Sequence, residues 1–323
     1  MGPTRPAKSS VLCLQESLPC AYLARKVLLV EFRIHFFFSL CYVMISSLFR
    51  SLVGTNIARH DLNLYCDIFS RQGLQRSSFL SEADNASRQC LNYILDFTLS
   101  RNPSLIAVTQ SQCLQELFAY TLLQGNIETY LEAGANNGIL LSNTYGVMKT
   151  SGARGLLVEA NPASLISLKQ NRPADICVGY ALSDKSGQRL EFNKNGNNTL
   201  FGRVLQSSSE KACDIAAGNS SSVSSITLPD VMAHSGYSSV DFMSLDIEGS
   251  ESAALMGCTH IFWSFAMIEA NSRSDAVSIV QALNSLGSKC YRYPFAQNEI
   301  LSIADPSSCH SDLVGLLNSY FNL

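Results

Sequence analysis

The 323-residue sequence is poor in charge, because Asp, Glu, Lys and Arg make up only 15% of it, against about 25% in typical soluble domains. Its formal net charge of −3 gives no excess of positive charge, so we do not expect nucleic-acid binding through bulk basic charge. Hydrophobic residues make up 46% of the chain, which is enough for a large core and excludes wholesale disorder.

Several short motifs with known chemistry are missing. None of the eleven cysteines forms a C-x-x-C pair, so a structural zinc site is not expected, and buried free thiols are favoured over one or two disulfides. The sequence has neither G-x-G-x-x-G nor a P-loop, which argues against a nucleotide-dependent oxidoreductase. It also has neither G-x-S-x-G nor H-E-x-x-H, which removes the commonest hydrolase signatures.

The apolar character is concentrated near the N-terminus, where residues 36–49 carry no charge. Extended to residues 34–53, the stretch reaches the roughly 20 residues that span a bilayer, at the expense of including Arg50. We therefore predict a tail over residues 1–33, a single-pass signal-anchor over 34–53 and a linker or stem over 54–87. The basic residues slightly favour a cytoplasmic N-terminus and a luminal body. The alternatives are a buried helix, or an N-terminal extension with Met44 as the true start.

The remaining residues, 88–323, predict one α/β domain. Helical spacing in residues 88–124 indicates an N-terminal helical extension, and from Ile127 onward apolar strands alternate with helices. This order predicts a Rossmann-like, doubly wound, mostly parallel sheet that ends in an antiparallel pair. Strands are predicted at 127–133, 155–158, 176–182, 189–192, 240–247, 265–269, 290–295 and 299–303. Helices are predicted at 143–149, 162–170, 229–234, 252–262 and 276–286, and a surface loop at 207–225.

Chemistry is expected at the carboxyl ends of the parallel strands, where such sheets bind ligands. The first strand ends in Glu132, followed by a loop with Gly134 and Gly138, and glycines let a ligand approach the backbone closely. A carboxylate at this point has the wrong sign for a pyrophosphate. It suits S-adenosylmethionine, which carries a sulfonium and an α-amino group but no phosphate. The alternative is a tight turn without a ligand.

The second and third strands end in further polar residues. Glu159 lies 25 residues after Gly134, close to the spacing of about 20 at which an acid binds ribose hydroxyls. The alternative is an exposed carboxylate in a turn. Ser183 and Asp184 follow the third strand and could meet an adenine amino group.

The fourth strand is followed by Asp246, Glu248 and Glu251. By the period of two, Asp246 and Glu248 lie on one side of an extended chain, and Glu251 could begin the next helix. Asp246 or Glu248 is the expected general base for a hydroxyl acceptor, with His234 and His260 as weaker candidates. Alternatively, Asp246, Glu248 and Glu269 hold a divalent metal ion, although no pattern in the sequence supports one.

These segments occur together in a characteristic order, and the ordered set resembles the FkbM-type methyltransferases, a branch of the class I S-adenosylmethionine-dependent enzymes. The resemblance covers roughly residues 88–310. Two positions depart from it, since many members have Asp in place of Glu132 and Lys in place of Ser244. The segments that carry the resemblance are 132–138, 141–144, 155–162, 181–184, 197–199 and 244–251.

The resemblance implies a methyltransferase, with the chemistry assigned to particular positions. Glu159 would hold the ribose, Ser183 and Asp184 would lie near the adenine, and Asp246 and Glu248 would face the transfer site. The partner would be a small-molecule, sugar or lipid hydroxyl acceptor. The alternative is an inactive, membrane-tethered interaction module on the same fold. The methionine part of the cofactor would be lined by Glu132, Gly134, Ala135, Asn136 and Gly138.

Overall fold

The computed structural model describes residues 85–193, 202–205 and 220–323. The predicted tail and the anchor at 34–53 lie outside the described residues, as do all of the linker before Asn85 and the 197–199 segment. In the part of the chain that is described, no helix combines the length and the apolar character needed to cross a membrane. The cysteines within it, such as Cys90 and Cys290, are free thiols.

A seven-stranded sheet forms the centre of the fold. The strand order is β10-β11-β9-β8-β1-β2-β3, and the pairs among β9, β8, β1, β2 and β3 are parallel. The antiparallel pairs at the other edge are β9–β11 and β10–β11, of which β10–β11 is the predicted terminal pair. The strands of this sheet are β1 (Thr129–Ala133), β2 (Arg154–Val158), β3 (Ile176–Val178), β8 (Val240–Leu245), β9 (Trp263–Glu269), β10 (Lys289–Arg292) and β11 (Glu299–Ile303).

Helices cover both faces of this sheet. Alternate residues of β1 enter opposite core clusters, so Tyr130 packs on one face and Leu131 on the other. This double burial explains the apolar strand sequences. The helices are α1 (Asn85–Arg101), α2 (Pro103–Val108), α3 (Gln115–Leu122), α4 (Tyr145–Ser151), α5 (Pro162–Asn171), α6 (Leu228–Ser235), α7 (Glu251–Met256), α8 (Arg273–Ser285) and α9 (Ser311–Tyr320).

A second, four-stranded sheet departs from the predictions. Its order is β4-β7-β5-β6. Its strands are β4 (Ala181–Leu182), β5 (Arg189–Asn193), β6 (Arg203–Val204) and β7 (Ser220–Ile226). The predicted strand 176–182 is therefore two strands in two sheets. Within the predicted loop 207–225, residues 220–225 are strand, because five of the residues of β7 are serines that hide its alternation.

The strand order reverses between β1 and β8. The chain runs outward from β1 to β2 and β3, and then returns to place β8 on the other side of β1. In register, Glu132 of β1 pairs with Leu157 on one side and with Ser244 on the other. Such a switch point leaves a crevice at the carboxyl ends of the strands, and Glu132, Glu159 and Asp246 lie around it.

Candidate functional site

Two adjoining cavities open at the carboxyl ends of β1, β2, β8 and β9. The first has about 600 Å³ of empty space including open solvent at its mouth, and the second has about 720 Å³ on the same measure. Both are lined by Gly134, Asn136, Asp246 and Glu248. A molecule in one cavity can therefore meet a molecule in the other at these residues.

The loop after β1 crosses close to the loop after β8, and Gly134 makes the crossing feasible. Its φ is +80°, and a Cβ placed there would lie 1.8 Å from the carbonyl oxygen of Asp246. Gly138 at the end of the loop also has a positive φ, and an added Cβ would approach Leu168 and Arg172 to within 2.6 Å. The glycines predicted from the sequence are thus required for packing between the loops and against α5.

Glu132 lies at this crevice but is almost fully engaged by its own loop. It is 4% exposed, and its Oε2 accepts hydrogen bonds from the hydroxyls of Ser142 (2.8 Å) and Thr144 (2.5 Å). Its Oε1 accepts one from the backbone N–H of Asn143 at 2.9 Å. An ionised carboxylate accepts about four hydrogen bonds, so Oε1 retains capacity for one donor from the second cavity, which Glu132 lines.

Glu159 lines the first cavity from the end of β2. Its carboxylate accepts hydrogen bonds from the backbone N–H groups of Asn136 (2.7 Å) and Asn161 (2.6 Å), which ties the first glycine loop to the start of α5. Burial raises the pKa of Glu159, and these hydrogen bonds oppose the shift. The residue is thus a buried acid with acceptor capacity left, and not the exposed turn carboxylate of the alternative interpretation.

The wall of the first cavity beyond Glu159 is apolar. The sequence predicted that Ser183 and Asp184 would form this part of the site. Ser183 and Asp184 lie near the surface, where their side chains hydrogen bond to each other, and neither lines the cavity. The second sheet supplies the lining, and its contribution carried no recognisable sequence signal. The apolar and aromatic residues of this wall are Tyr180, Ala181, Leu182, Phe192 and Val204.

Asp246 has a carboxyl partner in Glu269, which the sequence suggested only as a metal ligand. It shares a hydrogen bond with Glu269, the last residue of β9. Burial, together with the charge and hydrogen bond of Glu269, holds the pKa of Asp246 well above its usual value. Two hydrogen-bonded carboxyl groups require one proton between them, so this pair can hold one proton and accept another.

Glu248 departs from the expectation that it shares one side of an extended strand with Asp246. β8 ends at Leu245, and Glu248 sits in a loop with a φ of +56°. Glu251 begins α7 as predicted, and its carboxylate accepts hydrogen bonds from the N–H groups of Ile247 and Gly249. The acids whose oxygens lie within 4.8 Å of one another are Asp246, Glu251 and Glu269, so Glu251 takes the place that the metal alternative gave to Glu248.

The two histidines considered as weaker bases do not line either cavity. His234 lies in the last turn of α6, and His260 contacts the hydroxyl of its neighbour Thr259; both are exposed.

Residues 132–290, which contain most of this site, match the family model of the methyltransferase FkbM domain. The chain contains an FkbM methyltransferase domain. Among curated proteins, none matches the sequence.

Three solved structures of methyltransferases resemble this chain at low similarity. Methyltransferase FkbM from Methylobacillus flagellatus KT is 17% identical with a TM-score of 0.36, over 68% of this chain and 55% of its own. Aeropyrum pernix fibrillarin, solved with S-adenosyl-L-methionine, is 12% identical with a TM-score of 0.32, over 54% and 65%. The O-methyltransferase from Bacillus cereus, solved with SAH, is 12% identical with a TM-score of 0.28, over 71% and 94%. These values are too low to carry a functional argument.

Proposed function

We propose that the protein transfers a methyl group from S-adenosylmethionine to a hydroxyl group of a small acceptor. The observation that carries the proposal is the meeting of two cavities at Gly134, Asn136, Asp246 and Glu248. One cavity would hold the methyl donor and the other the acceptor, so the reacting atoms would be aligned by the protein, which is the main task in a displacement of this kind.

The residues of the first cavity fit the donor. Among its described lining residues there is no lysine, arginine or histidine, which suits a ligand without phosphate. Glu159 would hold the ribose hydroxyls, and the apolar wall with Phe192 and Val204 would cover the adenine. The methionine part would extend past Gly134 and Asn136, which line both cavities, toward Glu132 in the second cavity. When bound, S-adenosylmethionine would supply an electrophilic methyl group on a sulfonium.

Asp246 is the proposed general base. It lines both cavities, and burial together with Glu269 raises the pKa of Asp246. The pair therefore holds one proton, and its second, ionised carboxyl group can accept a hydroxyl proton. As the acceptor oxygen bonds to the methyl carbon and the carbon–sulfur bond breaks, the hydroxyl proton passes to this pair. Glu248 would contact the acceptor at the same edge.

The second cavity indicates which acceptors would fit. Its described lining contains five carboxylates and, besides the shared Asn136, four primary amides, but no cationic side chain. A carboxylate or phosphate on the acceptor would meet only like charge there, which is unfavourable at short range. We therefore propose a neutral or cationic hydroxyl compound. The amides are those of Gln112, Gln115, Asn143 and Asn298.

The test is transfer of labelled methyl from S-adenosylmethionine to a panel of neutral, cationic and anionic hydroxyl compounds. Asp246→Asn should keep donor binding, measured by calorimetry, and lose turnover by a factor of about 100 or more. Glu248→Gln serves as the neighbouring control and should retain more activity. Full turnover in Asp246→Asn would refute the base assignment, and absence of donor binding would favour the inactive interaction module.

A further inference from the structure

Arg172 is a fully buried cation that the proposed function leaves unused. It follows directly after α5 and is 1% exposed, which is uncommon for an arginine. Its Nε donates to Asp175 at 2.8 Å, its Nη1 to the carbonyl oxygen of Gly138 at 2.9 Å, and its Nη2 to the hydroxyl of Tyr130 at 2.8 Å. The guanidinium therefore joins α5, β1 and the end of the glycine loop.

The remaining donors of Arg172 lead to Glu132 through two hydroxyl groups. Nη1 donates to Ser142 at 3.3 Å and Nη2 to Thr144 at 3.0 Å. Each hydroxyl in turn donates to Oε2 of Glu132. The buried cation and the buried carboxylate are thus bridged by Ser142 and Thr144. The Ser142 hydroxyl also accepts from the backbone N–H of Tyr145 at 3.1 Å.

This bridge matters because two other carboxyl groups in the described part of the chain also interact electrostatically with Glu132. Glu116 on α3 and Asp246 after β8 both interact with it as like charges, whereas Arg172 interacts with it as an opposite charge. A buried carboxylate without a compensating charge is strongly unfavourable. Arg172 lines neither cavity, so it acts on a ligand only through Glu132.

We propose that Arg172 is a positioning residue for the methyl-donor site, because it fixes the direction of the Glu132 carboxyl group through Ser142 and Thr144. The proposal rests on the proposed function, since it concerns affinity for S-adenosylmethionine. Glu132 keeps one acceptor position toward the cavity only while its other oxygen is held by the two hydroxyls.

The sharpest test is Thr144→Val, which removes one bridging hydroxyl while nearly conserving shape. The matched control is Thr150→Val on α4, where the hydroxyl donates to the carbonyl oxygen of Gly146 and accepts from Asn102 outside this network. The measurements are the dissociation constant for S-adenosylmethionine by calorimetry and the midpoint of thermal unfolding, both on the full chain. The lost hydroxyl donates to a carboxylate and accepts from a guanidinium, and hydrogen bonds to charged groups contribute more than neutral ones. We therefore expect Thr144→Val to bind S-adenosylmethionine roughly tenfold more weakly.

Thr150→Val should bind as the wild type does, even if its unfolding midpoint falls by the same amount. Arg172→Lys, which keeps the charge but not the planar fork, should bind more tightly than Arg172→Gln. Equal affinity in wild type and Thr144→Val would overturn the positioning role while leaving the proposed function intact. If Thr144→Val fails to fold, Ser142→Ala carries the same comparison. If the wild type itself does not bind S-adenosylmethionine, both proposals fail.

Discussion

Because the loops after β1 and β8 pass close to each other at Gly134, the loss of stability in Gly134→Ala can be predicted quantitatively. A Cβ at this position would lie 1.8 Å from the carbonyl oxygen of Asp246, so the backbone of one loop must move. The φ of +80° adds about 1–2 kcal/mol for a residue with a side chain, and forced repacking adds about 1–3 kcal/mol. A loss of about 3 kcal/mol in the free energy of unfolding corresponds to a midpoint lowered by roughly 6–12 °C.

Gly152→Ala is the matched control, because it separates conformational strain from collision. Gly152 ends α4 with a φ of +77°, and an added Cβ has no neighbour within 4 Å. It should therefore lose only the conformational part, about 1–2 kcal/mol. Thermal unfolding of both variants, with calorimetry of S-adenosylmethionine binding, checks the prediction. Equal midpoints for the two variants, or wild-type affinity in Gly134→Ala, would refute the reasoning.

Two further predictions concern buried acids. Glu159→Gln should weaken S-adenosylmethionine binding about tenfold in calorimetry, because an amide keeps only one of the two oxygens that accept from Asn136 and Asn161; unchanged affinity would exclude the ribose role. Burial raises the pKa of Glu116 to about 7, so the folded state holds its proton up to about pH 7, whereas the unfolded state loses it near its ordinary value. The free energy of unfolding should therefore fall by about 3 kcal/mol between pH 4.5 and 7 through this group. Glu116→Gln has no such dependence. Denaturant unfolding should therefore show that the free energy of unfolding of the variant, relative to that of the wild type, is higher at pH 8 than at pH 5. The same difference at both pH values would contradict the prediction.

The sequence predicted the sheet and the approximate position of the site because both depend on local patterns. Apolar runs bounded by turn residues identified the strands of the main sheet, and polar residues at their ends identified Glu132, Glu159 and Asp246. The order of these segments supplied the family, which the match over residues 132–290 confirms.

The features that the sequence did not predict depend on contacts between distant segments. The partnership of Asp246 with Glu269 arises only because β8 and β9 are neighbours in the sheet. Arg172 at the end of α5 has the appearance of an ordinary cation in the last turn of a helix, and nothing local shows that Tyr130 and Thr144 close around it. The apolar wall with Phe192 comes from a small sheet whose strands are short and rich in serine.

The most direct test of the central claim is a calorimetric titration of S-adenosylmethionine into the full chain, alongside the Glu159→Gln variant. We predict saturable one-to-one binding to the wild type and about tenfold weaker binding to the variant. No heat of binding in the wild type, or equal affinity in both, would contradict the assignment of the β1–β8 crevice as a methyl-donor site.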